Sequence, residues 1–211
     1  MDDRLRDLLV RARDLGLLGP GPVEDHLVHA RAWAAVLADP PEHGLDLGSG
    51  AGVPGLVLAA AWPASRWTLL DAGQRRGEWL QAAVGELGCA DRVEVVVNRA
   101  ETAARTERLR EQCDLVVARG FGPPAVTAEC ATGFLRVGGR LSVSEPPPEE
   151  GPAGGPAAPE ERWPEAELSV LGFDAPRFVR QDAGFVILRK TTRTDARWPR
   201  RDGVPQRRPL W

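Results

Sequence analysis

The stretch His43 to Gly55, H-G-L-D-L-G-S-G-A-G-V-P-G, constrains this chain more than any other. It reads as a short buried strand ending on Asp46, a loop carrying Gly48, Gly50 and Gly52, and a helix opened by Pro54. Glycine accepts positive φ and has no Cβ, so such a loop brings the backbone up to a ligand with its amide N–H groups facing it. Proline fits a first helical turn, where its missing N–H would have no partner. Three alternating glycines after an apolar strand lower stability without a packing gain, so a ligand-binding strand-loop-helix is expected rather than a plain turn.

The letters satisfy two templates. From Gly50 they fit G-x-G-x-x-G, the dinucleotide fingerprint. From Asp46 they fit D-x-G-x-G-x-G, the first motif of class I S-adenosylmethionine (SAM) methyltransferases. A carboxylate beside a pyrophosphate is unfavourable, whereas Asp46 suits the ammonium, or a water shell, of SAM's methionine end. Charge favours SAM. Arg66 to Asp71, R-W-T-L-L-D, reads as the second strand and ends on an acid 19 residues beyond Gly52. A carboxylate at that spacing accepts both ribose hydroxyls of an adenosyl group in either template. An N-cap role for Asp71 on the following helix is the alternative, and the two roles can coexist.

The 211 residues suffice for one domain with a core and are too few for a cofactor domain plus a separate catalytic domain, which counts against a two-domain dehydrogenase. No apolar run approaches the roughly 20 residues that span a bilayer, and the first ten residues are charged and helical in pattern, so a cytoplasmic protein without membrane attachment is expected. Cys89, Cys113 and Cys130 form no C-x-x-C pair and read as buried thiols. His26 and His29 share a helix face without an obvious third ligand, so surface or packing roles and no metal are expected. The net charge of −3 hides a polarity: residues 145–166 are acidic and proline-rich, and residues 189–211 are basic.

Helical spacing is expected over residues 2–16 and 23–38, which together make an N-terminal helical cap (residues 1–40). Residues 41–190 form the cofactor-binding domain. Within it helices are expected over 56–61, 74–88 and 127–135, and strands over 66–71, 93–97, 114–118 and 140–144, with a turn at Gly138-Gly139. Arg119 falls at the C-terminal end of the fourth of these strands, counting the one that ends on Asp46. Residues 145–166 are expected to be a mobile acidic loop unable to form a packed element. Residues 168–173 and 184–189 read as an antiparallel pair, and the basic tail, residues 191–211, as an extended surface strap.

These residues resemble a known family, the bacterial small-subunit ribosomal RNA guanine-N7 methyltransferases, also called glucose-inhibited division protein B. The resemblance covers about three quarters of the chain. It rests on D-L-G-S-G-A-G-V-P-G, L-L-D-A-G-Q-R-R-G-E-W-L with a downstream E-L-G, N-R-A-E, D-L-V-V-A-R, F-L-R-V-G-G and W-P-R-R-D-G-V-P-Q-R-R-P-L. It implies an α/β, Rossmann-like class I methyltransferase fold, with helices on both faces of a seven-stranded, mostly parallel sheet in the order 3-2-1-4-5-7-6. It also implies SAM contacts at Gly48, Val53, Ala100, Glu101 and Arg119, with Asp71 on the ribose, and 16S rRNA or the small ribosomal subunit as the partner; a monomer is expected, though the sequence does not fix the oligomeric state.

With Asp46, Gly50 and Gly52 from the loop motif, these make up the expected cofactor site. Guanine N7 carries no proton at neutral pH, so no catalytic acid or base is nominated. Arg200, Arg201, Arg207 and Arg208 are expected on RNA phosphates. Where the family has Lys-Gly after its fifth strand, this chain has Glu145-Pro146; the Ser-Arg-Ala after strand four is replaced around Arg119, and His29-Ala30 stands for Asp-Ser. The alternatives are a diverged paralogue acting on a small molecule or a protein, a non-catalytic SAM-binding module and, last, a dehydrogenase.

Overall fold

The computed structural model describes residues 3–146, 158–180 and 183–211. Two helices lead, α1 (Asp3–Asp14) and α2 (Val23–Leu37), and α1 turns Leu5, Leu8, Leu9 and Ala12 inward at helical spacing. There follow β1 (His43–Leu47), α3 (Gly55–Ala61), β2 (Arg66–Asp71), α4 (Gln74–Glu86), β3 (Val93–Val97), α5 (Ala100–Ala103), β4 (Cys113–Ala118), α6 (Pro124–Thr132) and β5 (Leu135–Glu145). The chain closes with α7 (Pro159–Arg162), α8 (Glu165–Val170), β6 (Arg177–Arg180), β7 (Gly184–Arg189) and α9 (Val204–Arg207).

The strands form one sheet ordered β3-β2-β1-β4-β5-β7-β6. All pairings are parallel except those of β7 with β5 and β6. This is the class I methyltransferase order that the resemblance implies. The chain runs outward through β2 and β3 and returns to β4 on the other side of β1, so a crevice opens at the C-terminal ends of β1 and β4.

Period-two alternation divides the core in two. Leu115 and Val117 of β4 face a cluster with α1, α2, α3 and α4. Val116 and Ala118 face the cluster with α6, α8 and Trp198. Helix α2 is tied to the sheet by Trp33, whose Nε1 donates to Ser142 Oγ at 2.9 Å, and His29 lies edge-on to Trp33 and Phe185.

Several expectations need correction. Residues 168–173 do not form a strand: Pro164 followed by Glu165 and Glu167 suits a helix N-terminus, α8 forms, and the edge strand is β6 instead. Helix α6 begins at Pro124 and stops before Gly133, which frees Phe134 and Leu135 for the sheet side. The Gly138-Gly139 turn lies inside β5, as an irregularity between the Cys113–Leu135 and Leu115–Arg140 pairings.

The tail is not a loose extended strap. Trp198 is buried, α9 forms a single turn, and Arg105 and Arg110 reach across to tail carbonyls. Of the expected mobile loop, residues 147–157 lie outside the described residues. Its described parts are anchored at both ends: Glu145 is buried, its Oε2 pairs with Arg162 at 2.8 Å, and its Oε1 accepts from the buried Trp163 Nε1 at 2.9 Å, while α7 itself buries no residue.

The entry to α3 fits closely against β1 and β2. A Cβ on Gly55 would lie 2.5 Å from Leu69 Cδ2 and 2.6 Å from Asp46 Oδ2. Helix propensity alone would make Gly55→Ala favourable by about 1 kcal/mol. The clash reverses the sign, so Gly55→Ala is expected to destabilise by about 1–3 kcal/mol, seen as a lower urea midpoint at unchanged slope.

Candidate functional site

The glycine loop is wired inward. Gly48 and Ser49 N–H both donate to the Leu70 carbonyl, at 2.8 and 2.9 Å, Gly50 N–H to Asp71 Oδ2 at 2.9 Å, and Gly52 N–H to the Ser49 carbonyl at 2.7 Å. These amides do not face a ligand, contrary to expectation. What the glycines provide is shape: Gly48, Gly50 and Gly52 all have positive φ, and a Cβ on Gly48 would lie 2.7 Å from the Phe121 ring.

Asp46 is also turned inward. It is 1% exposed, and its Oδ2 accepts the Gly55 N–H at 2.8 Å, at the start of α3. A pyrophosphate-binding loop needs that helix N-terminus and those amides free. Here protein groups occupy both, which argues against the dinucleotide reading. Burial pushes the Asp46 carboxyl up to about 7, against the pull of Gly55 and Ser49.

Two adjoining cavities open at the crevice and share Gly48, Arg76 and Gly120 on their walls. The first, about 190 Å³, has Asp71, Ala100, Glu101, Phe121 and Gln206 around it. Both Asp71 oxygens already accept N–H groups, Oδ1 from Gly73 at 2.8 Å and Oδ2 from Gly50, so the carboxylate is fixed while keeping free lone pairs. The formal N-cap of α4 is Gly73 rather than Asp71. Glu101 Oε1 accepts from Arg99 and from Gly203 N–H, both at 2.8 Å, and its Oε2 is buried without a partner.

The second cavity, about 290 Å³, is walled by the Ser49–Ala51 loop, Val53, the Leu17–Gly19 turn, His26 and Arg119. Arg119 Nη2 lies 2.5 Å from His26 Nδ1, and His26 Nε2 lies 3.2 Å from the Gly19 carbonyl. A guanidinium cannot accept, so Nδ1 is the acceptor and Nε2 carries the proton. Burial, and then Arg119, hold the His26 pKa below its usual range and keep the ring neutral. Arg119 Nη1 is buried with no partner.

A match to the family model for GidB, rRNA small subunit methyltransferase G, covers residues 22–144. The chain belongs to this family. It is 33% identical over 173 residues to a ribosomal RNA small subunit methyltransferase G of Geobacillus thermodenitrificans, spanning 78% of this chain and 68% of that one. A protein of the same name from Symbiobacterium thermophilum is 35% identical over 205 residues, spanning 90% and 80%. The crystal structure of a methyltransferase from Geobacter sulfurreducens shares the fold, with a TM-score of 0.60 at 17% identity, over 91% of this chain and 90% of that one.

Of the residues that the motifs and the family resemblance single out, Gly48, Gly50, Val53, Asp71, Ala100, Glu101 and Arg119 line the two cavities. Asp46 and Gly52 stand behind them; a Cβ on Gly52 would lie 2.4 Å from Leu56 Cδ1, toward the core. Glu145, the charge reversal relative to the family, faces Arg162 and Trp163 and is internal. Arg200 differs from expectation too: its guanidinium grips the fully buried Glu129 at 2.6 and 2.8 Å. Arg201, Arg207 and Arg208 are exposed.

Sequence reasoning missed Arg76, Phe121, Gln206 and the cavity role of His26. Arg76 and Gln206 lie within two of the family motifs, L-L-D-A-G-Q-R-R-G-E-W-L and W-P-R-R-D-G-V-P-Q-R-R-P-L, which was the signal that could have found them, while Phe121 and His26 lie in none. Among the described residues no group of three His, Cys, Asp or Glu side chains is placed to hold a metal, and no helix is long and apolar enough to cross a membrane.

Behind His26 lies His29, whose pKa is pushed down to about 4 by burial, then by Arg119 and His26. The unfolded chain takes up this proton near pH 6.5, so its contribution is complete above that value, falls as pH drops toward 4 and is flat below. Asp46 works oppositely, because its raised folded value favours the fold at low pH and the benefit fades as pH rises through 7. Both proteins carry Asp46 in a comparison of His29→Phe with the parent. Urea unfolding at pH 7, 5.5 and 4.5 is expected to show a shallower acid loss of stability in His29→Phe.

Proposed function

We propose that this protein is a SAM-dependent methyltransferase that methylates N7 of a guanine in 16S rRNA of the small ribosomal subunit. Family membership supports the rRNA assignment, since the relatives carry the name ribosomal RNA small subunit methyltransferase G. The observation that carries the cofactor reading is the pairing of two orphaned buried groups across adjoining cavities: a carboxylate oxygen of Glu101 beside Asp71, and a guanidinium nitrogen of Arg119. A nucleoside joined to a zwitterionic amino acid answers both, with hydroxyl and amine donors at one end and a carboxylate at the other.

In this reading Asp71 accepts the ribose hydroxyls, held rigid by Gly50 and Gly73. Arg119, held by neutral His26, donates Nη1 to the methionine carboxylate. Gly48, with no Cβ, lets the cofactor lie against the loop. When bound, SAM supplies a methyl group on a cationic sulfur. That chemistry would be methyl transfer to the lone pair of the acceptor's N7, the carbon–sulfur bond breaking as the carbon–nitrogen bond forms, with the positive charge passing to the purine. No proton moves, so the residues serve to align and to exclude water, and none is assigned as acid or base. The exposed Arg201, Arg207 and Arg208 meet backbone phosphates beside the cavity rim that Gln206 reaches.

The direct test is transfer of labelled methyl from SAM to small subunits from cells lacking this protein, with naked 16S rRNA alongside. Label is expected in a guanine at N7; absence of label with cofactor binding intact would overturn the rRNA assignment, and preference for NADH would overturn the cofactor assignment. Arg119→Ala is expected to weaken S-adenosylhomocysteine (SAH) binding about 10- to 100-fold, as for loss of a charged hydrogen bond of about 1.5–3 kcal/mol, measured by calorimetry.

A further inference from the structure

The C-terminal tail is held to the cofactor side of the molecule by more than proximity. Arg200 forks onto the buried Glu129, which also accepts the Arg200 backbone N–H at 2.8 Å. Arg105 donates to the carbonyls of Arg197 and Pro199, and Arg110 to those of Thr194, Asp195 and Trp198. Thr102 of α5 donates to Asp202 at 2.8 Å. One residue further along, Gly203 N–H donates to Glu101, the same carboxylate whose other oxygen is orphaned beside the first cavity. Gly203 then turns the chain at φ +72° into α9, and Gln206 of that turn lines the cavity.

We infer that this docked tail is a wall of the nucleoside end of the site, with Gln206 presenting its side-chain amide to the base of the adenosyl cofactor. The inference rests on the SAM reading given above and adds a residue and a segment to it. The chemistry fits. A glutamine amide sets a donor and an acceptor side by side, the pattern that pairs with adenine's amine and adjacent ring nitrogen in nucleic-acid recognition. A buried carboxylate oxygen left without a partner is costly, and an exocyclic amine is a donor that answers it. Glu101 thereby joins two events: its Oε1 holds the tail through Gly203, and the residue, with Oε2 still unpartnered, lines the cavity. Cofactor binding and tail docking support each other.

The test is calorimetric titration of the full chain with SAH and with 5′-methylthioadenosine, which lacks the amino-acid end. Gln206 is exposed at the rim, so Gln206→Ala is expected to keep the parent's melting temperature. It is expected to weaken both ligands by a similar factor, about five- to tenfold, as for one net hydrogen bond. Unchanged SAH affinity in Gln206→Ala would overturn the inference and leave the tail as a brace; so would a loss confined to SAH. A parent protein that binds neither ligand would instead remove the SAM reading on which the inference stands.

Discussion

The bond from Gly55 N–H to Asp46 Oδ2, 2.8 Å long and fully buried, is the constraint on which the rest of the site depends. It joins the end of β1 to the first turn of α3, with the glycine loop closed between them. Because a side-chain carboxylate already answers that helix N-terminus, no anionic group of a ligand has a place there. The loop amides follow the same logic, turning to Leu70 and Asp71 and binding β1 to β2. A motif that elsewhere makes an anion cradle becomes a smooth, uncharged wall. Its ligand must find its polar partners elsewhere, on Asp71, Glu101 and Arg119.

Those partners are arranged with opposite signs at opposite ends. The carboxylates of Asp71 and Glu101 border one cavity and the Arg119 guanidinium borders the other, with Gly48 and Gly120 between them. Each is immobilised by the protein before any ligand arrives: Asp71 by two backbone N–H groups, Glu101 by Arg99 and the tail, Arg119 by a histidine kept neutral by burial. Preorganisation of this kind reduces the ordering that binding would otherwise require. It also explains why α1 and α2 are built into the same core as α3, since His26 and the Leu17–Gly19 turn reach the site from that layer.

What the sequence disclosed and what it withheld divide along a physical line. Strands β1 to β4, the glycine loop and Asp71 were legible, because glycine positions, terminal acids and β-branched runs are local signals; Val53, Ala100, Glu101 and Arg119 came from the family resemblance, and Arg76, Phe121, Gln206 and the cavity role of His26 were not read at all. The direction of the loop amides was not legible: the same letters serve a phosphate cradle, and only the Leu70 carbonyl from the neighbouring strand decides. Helix α8 was misread because a short apolar run suits either periodicity. The tail was misread as a surface strap because its partners, Arg105, Arg110 and Glu129, lie 71 to 94 positions away and leave no mark on its own composition. Arg200 looked like a phosphate ligand for the same reason, as charge alone does not tell a buried clamp from a free cation.

The grip of Glu145 on Arg162 and Trp163 has a practical consequence. It ties the two ends of an acidic connection together at its base, so the fold registers only that a connection exists and not how long it is. Closing a longer connection costs little, about 0.6 kcal/mol for each doubling. By that measure the length of the connection between Glu145 and Arg162 has little bearing on the stability of the fold. That makes this knot a natural graft point, where a peptide tag or a fluorophore can be carried with the methyltransferase fold left as it is.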